Sequence, residues 1–348
     1  MLKKLTLTLS LCLLAACGGE TAATANHAAV SGSTPADGTV QLLNVSYDVM
    51  RDFYKDYNPL FIKHYQQTHP GSNITVQQSH GGSSKQALAV ANGLQADVVT
   101  MNQSSDIELL QNKGLVSADW QQAFPDRAVP FGSITVFLVR KGNPKNIRDW
   151  ADLNSNGIQS VLANPKTSGN GRYTFIAAYG YALKKHNGDH NAAKEFVRKL
   201  FANTAVLEAG GRGATTTFVQ RKIGDVLVTF ENEAQLAARQ FAQGEFEIVY
   251  PSYSVRAESP VAVVQSVTDK KGTSQAAKAY LDYLWSDEGQ TLAAERYLRP
   301  SQAAVAAKFA DRFPKVETFR ANDLLGSWDE IMKTYFADGG VFDQISKR

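Results

Sequence analysis

Cysteine is almost missing from this chain: among 348 residues only Cys12 and Cys17 carry a thiol. Two cysteines five positions apart cannot build a disulfide framework, a cysteine-rich zinc site or an iron–sulfur cluster. Long apolar runs are also scarce. Beyond the N-terminal segment no stretch approaches the roughly 20 apolar residues that span a bilayer, so the body reads as soluble. No block of basic residues exists, which argues against nucleic acid as a partner. Formal charge is +3, and without Lys3 and Lys4 34 basic side chains stand against 33 acidic ones. Three chemical motifs are absent as well. Without G-x-x-x-x-G-K-[ST] there is no nucleotide phosphate loop, without G-x-S-x-G no hydrolase elbow, and without H-E-x-x-H no zinc-protease helix. No catalytic residue, metal ligand or cofactor is therefore expected.

The N-terminus sets the compartment. A short cationic start at Lys3 and Lys4 leads into the apolar run Leu5–Ala16, which ends in small residues before Cys17. That is the layout of a signal peptide over residues 1–16. Leu14-Ala15-Ala16-Cys17 resembles a lipobox, which implies that Cys17 takes lipid and becomes the first mature residue. Residues 17–39, rich in Ala, Thr, Ser and Gly, read as a flexible tether. The expectation is a periplasmic, membrane-anchored lipoprotein. Gly18, where aspartate would signal inner-membrane retention, points to the outer membrane.

From Val40 onward β-rich runs alternate with helical ones. Strands are expected at 41–48, 74–79, 96–101, 133–140, 160–163, 225–230, 246–250 and 260–264. Helices are expected at 53–67, 83–91, 105–113, 170–185, 191–201, 273–285, 288–297 and 328–336. Strand–helix alternation predicts an α/β body with mainly parallel sheets flanked by helices. Two lobes follow: residues 40–130 with 265–320 form the first and 131–264 the second, with 321–348 a helical segment packing on both. The chain would cross between them near Phe131–Arg140 and Arg256–Val264.

Four places share one plan, in which a strand end gives a small or glycine-rich turn and then a helix start. They are Ser46–Asp48, His80–Ser84, Lys166–Gly171 and Gly210–Thr215. In open α/β sheets ligands gather at the carboxyl ends of strands. A helix start offers unpaired N–H groups and the positive end of the helix dipole, which together favour an anion. Taken singly, each turn also reads as an ordinary N-cap. His80 belongs either to such a site or to turn packing, and His64 and His69 to a solvated helix face. Glu231 and Glu233, two apart, do not face each other and make no acid–base pair.

Seven segments in order, LLNVSYD at 42–48, QSHGGSSKQ at 78–86, FLVRKGNP at 137–144, NPKTSGNGR at 164–172, GGRGATTTF at 210–218, IGDVL at 223–227 and FDQISKR at 342–348, resemble the periplasmic sulfate- and thiosulfate-binding proteins of ABC importers. The resemblance implies a type II periplasmic-binding-protein fold, with a dehydrated dianion in the cleft between two lobes. It places backbone donors at Asp48, Ser83, Gly169, Asn170 and Gly211 and a hydroxyl donor at Ser168. Arg172 and Arg212 would polarise the peptides that touch the ligand, with Tyr47 in support. Where the family's sulfate binders carry a tryptophan whose indole N–H reaches the ligand, this chain has Phe230. Asn170 replaces their glycine. Both changes look like the thiosulfate branch. The implied function is capture of sulfate or thiosulfate by a monomer and delivery to an inner-membrane ABC permease. A receptor for another tetrahedral oxyanion such as molybdate, or a lipoprotein enzyme acting on a sulfur or phosphorus oxyanion, is the alternative.

Overall fold

The computed structural model describes residues 39–241 and 244–346. Strand β1 (Val40–Tyr47) starts the first sheet. It pairs in parallel with β2 (Ile74–Gly81) and with β3 (Val98–Thr100). The 18-residue helix Arg51–Thr68 connects β1 and β2, burying Phe53, Tyr54, Tyr57, Phe61 and Tyr65 at helical spacing. The rings of Tyr54, Tyr57 and Phe61 pack on Tyr280; those of Phe61 and Tyr280 lie 4.9 Å apart, edge to face.

The second sheet is built around β4 (Phe131–Arg140). It also holds β5 (Ser160–Ala163), β6 (Thr204–Glu208), β7 (Val226–Phe230), β8 (Phe246–Val249) and β9 (Tyr253–Glu258). Successive side chains of β4 point to opposite faces. Ile134, Val136 and Leu138 enter one core with Phe218 and Leu227, while Phe137 and Val139 enter the larger one. With both faces covered, the strand reads as one apolar run. Strand β10 (Val261–Val263) returns the chain to the first sheet, antiparallel to β3. Then β11 (Arg299–Pro300) pairs with β4 and β12 (Glu317–Phe319) with β9.

Two expectations need correction. The first sheet is mainly parallel, but the second is mixed, because β4 runs antiparallel to β7, β8 and β9. And β12, inside the stretch assigned to the first lobe, pairs with the second sheet. Three residues with one buried side chain are too short for a period-2 pattern to register. Strand β6, also unpredicted, alternates half-buried and exposed residues at a sheet edge. The C-terminal residues close over the second sheet's helices: Phe336 packs on Phe175 at 5.2 Å between rings and Trp328 on Tyr173 at 5.4 Å.

Candidate anion site at four converging turns

Each turn ends in a helix start that its own N-cap side chain does not cap, although the Asp48 carboxyl accepts from the backbone N–H groups of Val49 and Arg212. The helix Ser83–Ala91 follows Gly82, and the helix Gly211–Val219 follows Gly210; neither glycine has a side chain to cap with. The helix Gly169–Lys185 follows Ser168. Serine at this position ordinarily accepts a hydrogen bond from the second or third helical N–H. Here its hydroxyl makes no such bond, although the residue is buried. Asp48 opens a short 3₁₀ turn directly after β1. The orphan N–H groups carry the positive end of each helix dipole.

The turns meet. A Cβ on Gly211 would lie 3.2 Å from the Asn170 carboxamide, and one on Gly210 would lie 3.6 Å from Oδ2 of Asp48. A Cβ on Gly169 would collide with Asn102 at the end of β3, and one on Gly82 would lie 3.6 Å from the carbonyl of Thr167. Asn102 in turn donates its N–H to Oγ of Ser83 at 3.1 Å. Asp48, Ser83, Gly169, Asn170 and Gly211 therefore share one neighbourhood, with no Cβ at the tightest contacts.

The side chains around them are largely committed. Ser83 donates its hydroxyl to Asp106, so only its backbone N–H is left to offer. Asn170 donates to Oγ1 of Thr229 at 3.1 Å. Oδ1 of Asn170 and of Asn102 are buried without a partner. Phe230, next to Thr229, is 2% exposed and packs edge to face on Tyr173 at 5.7 Å. Tyr47 shares a hydrogen bond with Ser259 at 2.8 Å. Cys17 lies outside the described residues.

The cations nearby are already engaged. Arg172 donates to Oγ of Ser84 at 2.7 Å, and that hydroxyl donates to Asp106 at 2.7 Å. Its Nε also donates to the carbonyl of Pro165 at 3.0 Å, inside the Lys166 turn. Arg212 forms a two-pronged pair with Glu233 at 3.0 and 3.1 Å and reaches Asp52 at 3.1 Å. Lys166, the one lysine in these turns, points away to the carbonyls of Phe336 and Ala337 and to Asp343. Burial pushes the carboxyls of Asp48 and Asp106 up despite the guanidinium groups beside them. It raises Glu233 to about 7, against the pull of Arg212.

His80 belongs to turn packing. Its Nδ1 lies 2.8 Å from Oγ of Ser46 across the β1–β2 pair, and burial followed by the charge of Arg51 lowers it to about 4. Glu231 and Glu233 diverge, Glu231 going to Arg299 and Glu233 to Arg212. Sequence reasoning missed Asn102, Asp106, Glu233 and Asp52. For Asp52, Asp106 and Glu233 the only sequence signal is position in a first helical turn, where acidic residues are common for dipole reasons alone, and Asn102, just past β3, carries none.

A two-sheet α/β body with helix starts gathered at one point defines an extracytoplasmic solute receptor. The family model described as bacterial extracellular solute-binding protein matches residues 42–298, and the chain belongs to that family. It is 62% identical over 305 residues to the thiosulfate-binding protein of Pseudomonas aeruginosa, covering 87% of this chain and 91% of that one. It is 50% identical over 309 residues to the sulfate-binding protein of Escherichia coli, covering 89% and 94%. Among solved structures, the sulfate-binding protein SubI from Mycobacterium tuberculosis superposes with a TM-score of 0.76 at 33% identity, covering 85% of this chain and 99% of that one.

Proposed function

We propose that the chain captures a doubly charged sulfur oxyanion, thiosulfate or sulfate, and hands it to an ABC permease. The observation that carries this reading is the meeting of helix starts without N-cap side chains beside two arginines already engaged, Arg212 by the carboxylates of Glu233 and Asp52 and Arg172 by the hydroxyl of Ser84 and the carbonyl of Pro165. Such a place supplies many fixed N–H dipoles and little free charge, which suits an anion that only accepts hydrogen bonds. The backbone N–H groups of Asp48, Ser83, Gly169, Asn170 and Gly211 and the hydroxyl of Ser168 are the assigned donors. Arg172, bonded to the carbonyl of Pro165, polarises the peptides of its turn.

Thiosulfate is the preferred member of the pair. Phe230 presents a hydrocarbon edge where an indole would present a donor, and a terminal sulfur is a weak acceptor that loses little there. Phosphate near neutral pH still carries a proton, which a ring of donors leaves unpaired. Sites built around a fixed hydrogen-bonding pattern discriminate by factors of about 10⁴–10⁵. The acceptors that could soften this are Oδ1 of Asn102 and of Asn170 and the carboxyl of Asp48.

Residues 131–140 and 256–264 serve as the hinge between two lobes, and a ligand touching both lobes favours the closed state by its differential affinity. Cys17 carries the lipid that holds the receptor at the membrane. The direct test follows tyrosine and tryptophan fluorescence while thiosulfate is added with and without a large excess of phosphate. A saturable change that phosphate leaves untouched supports the reading. Equal competition by phosphate removes the all-donor account.

A further inference from the structure

A cavity of about 320 Å³ lies away from the four turns, where β4, β9, β11 and β12 come together. Its volume falls in the range of small-molecule sites, roughly 300–1,000 Å³. One wall is apolar, formed by the half-buried Val129, Pro300 and Val316. The other wall is charged: Arg256, Arg299 and Arg320 face Asp126 and Glu258, leaving one positive charge in excess.

The three arginines differ in what they still have to offer. Arg299 grips Glu231 with two donors and gives a third hydrogen bond to the carbonyl of Pro314 at 3.1 Å. Arg320 lies 2.7 Å from Glu258 through Nη2, but its Nε is buried without a partner. Arg256 is exposed, and its guanidinium has no ion pair or hydrogen bond among the described residues. Oγ of Ser301, also in the lining, is buried and unpartnered. Glu258 is neutralised twice, by Arg320 and by Arg127 at 3.9 Å. The cavity therefore has open donors, one buried acceptor without a hydrogen bond in Oε1 of Glu258, a net charge of one and an apolar wall.

Its rim is strained. Asp126, Arg127 and Ala128 follow one another with φ of 52°, 59° and 59°, left-handed values that residues with a Cβ seldom adopt in series. Strain of this kind persists where the surroundings over-determine it, and it gathers at ligand clamps. Here it fixes Asp126 at the mouth of the cavity and Arg127 beside Glu258.

We propose that this cavity is a second binding site, for a small organic monocarboxylate whose apolar body rests on Pro300 and Val316 and whose carboxylate meets Arg256. A monoanion matches the single excess charge, and a planar carboxylate matches the two-pronged geometry of a guanidinium. The cavity's own lining carries the assignment, and it shares Phe131–Ile134 and Arg256–Glu258 with the segments proposed as the hinge.

Benzoate is the probe, titrated calorimetrically into the whole protein with and without saturating thiosulfate. The site predicts a benzoate isotherm that thiosulfate does not abolish. Arg256→Ala should weaken it by about tenfold or more, with the unliganded melting temperature unchanged because Arg256 has no partner to lose. Arg256→Lys should recover only part of the affinity, since it keeps the charge and loses the fork. No benzoate heat up to about 10 mM, a concentration well above a millimolar Kd, would mean that the cavity holds water only and would overturn the proposal. So would displacement of benzoate by thiosulfate, or an affinity indifferent to Arg256→Ala.

Discussion

Gly169 and Asn102 meet with no room between them: a Cβ on Gly169 would fall 2.1 Å from Oδ1 of Asn102. Gly169 opens the long helix behind β5, while Asn102 follows β3 in the other sheet. This contact draws a helix start from one sheet up to the strand end of the other. Gly169→Ala forces the neighbours apart. Overpacking of this kind costs about 1–3 kcal/mol, so thiosulfate affinity should fall about tenfold or more. Adding Asn102→Ala should restore part of it, because the colliding carboxamide is gone. Calorimetry on the single and double variants checks both.

Phe230 offers a second handle. Phe230→Trp places an indole N–H beside Asn170 and Thr229. A hydrogen bond to a charged group is worth about 1.5–3 kcal/mol, so sulfate affinity should rise by about tenfold or more and thiosulfate affinity much less. The measured quantity is the ratio of the two dissociation constants. An unchanged ratio would mean that position 230 does not face the anion.

Glu233 makes stability depend on pH. Its carboxyl is 1% exposed and titrates near 7 in the folded protein, against 4.5 for an unburied glutamate. Between those values the folded chain binds the extra proton, so this group's contribution to stability falls as pH rises from about 4.5 to about 7. Glu233→Gln removes the titration. Relative to the parent, the variant should gain stability on going from pH 5 to pH 8, read as the difference in melting temperature at each pH. A parallel pH profile for the two proteins would contradict the assignment.

Asp97 ties the first sheet to the helices that follow β10. Fully buried, it accepts from the N–H of Leu43 at 2.7 Å and from the hydroxyl of Thr273, and it pairs with Lys271. Asp97→Ala leaves the N–H of Leu43 and the hydroxyl of Thr273 unanswered, and the half-buried ammonium of Lys271 with only the carbonyl of Gln41 at 3.2 Å. Removing one partner of a buried pair costs about 3–5 kcal/mol, and urea unfolding should show that loss. A cost below about 1 kcal/mol would mean that the pair is solvated, as exposed pairs are.

Much of this was legible in the chain. Strand β5 falls where four apolar-flanked residues predict it, and the helix at Ser83 begins after paired glycines as its turn requires. The turns announced themselves because glycine and hydroxyl residues carry a backbone meaning that survives without tertiary context. What escaped depends on partners far away in sequence. Asp106 reads as a routine first-turn acid until Ser84 brings it to Arg172, and the supporting role the resemblance gives Arg212 does not reveal Glu233 and Asp52, which enclose it. Edge strands such as β6 and β12 escaped because half-buried residues carry no clean period.

The measurement closest to the central claim is calorimetric titration of the purified protein with thiosulfate, sulfate and phosphate in turn. The account predicts saturable one-site heats for thiosulfate and sulfate, thiosulfate being tighter, and no heat for phosphate. Silence with both sulfur anions, together with a melting temperature that high concentrations of either leave unmoved, would contradict it.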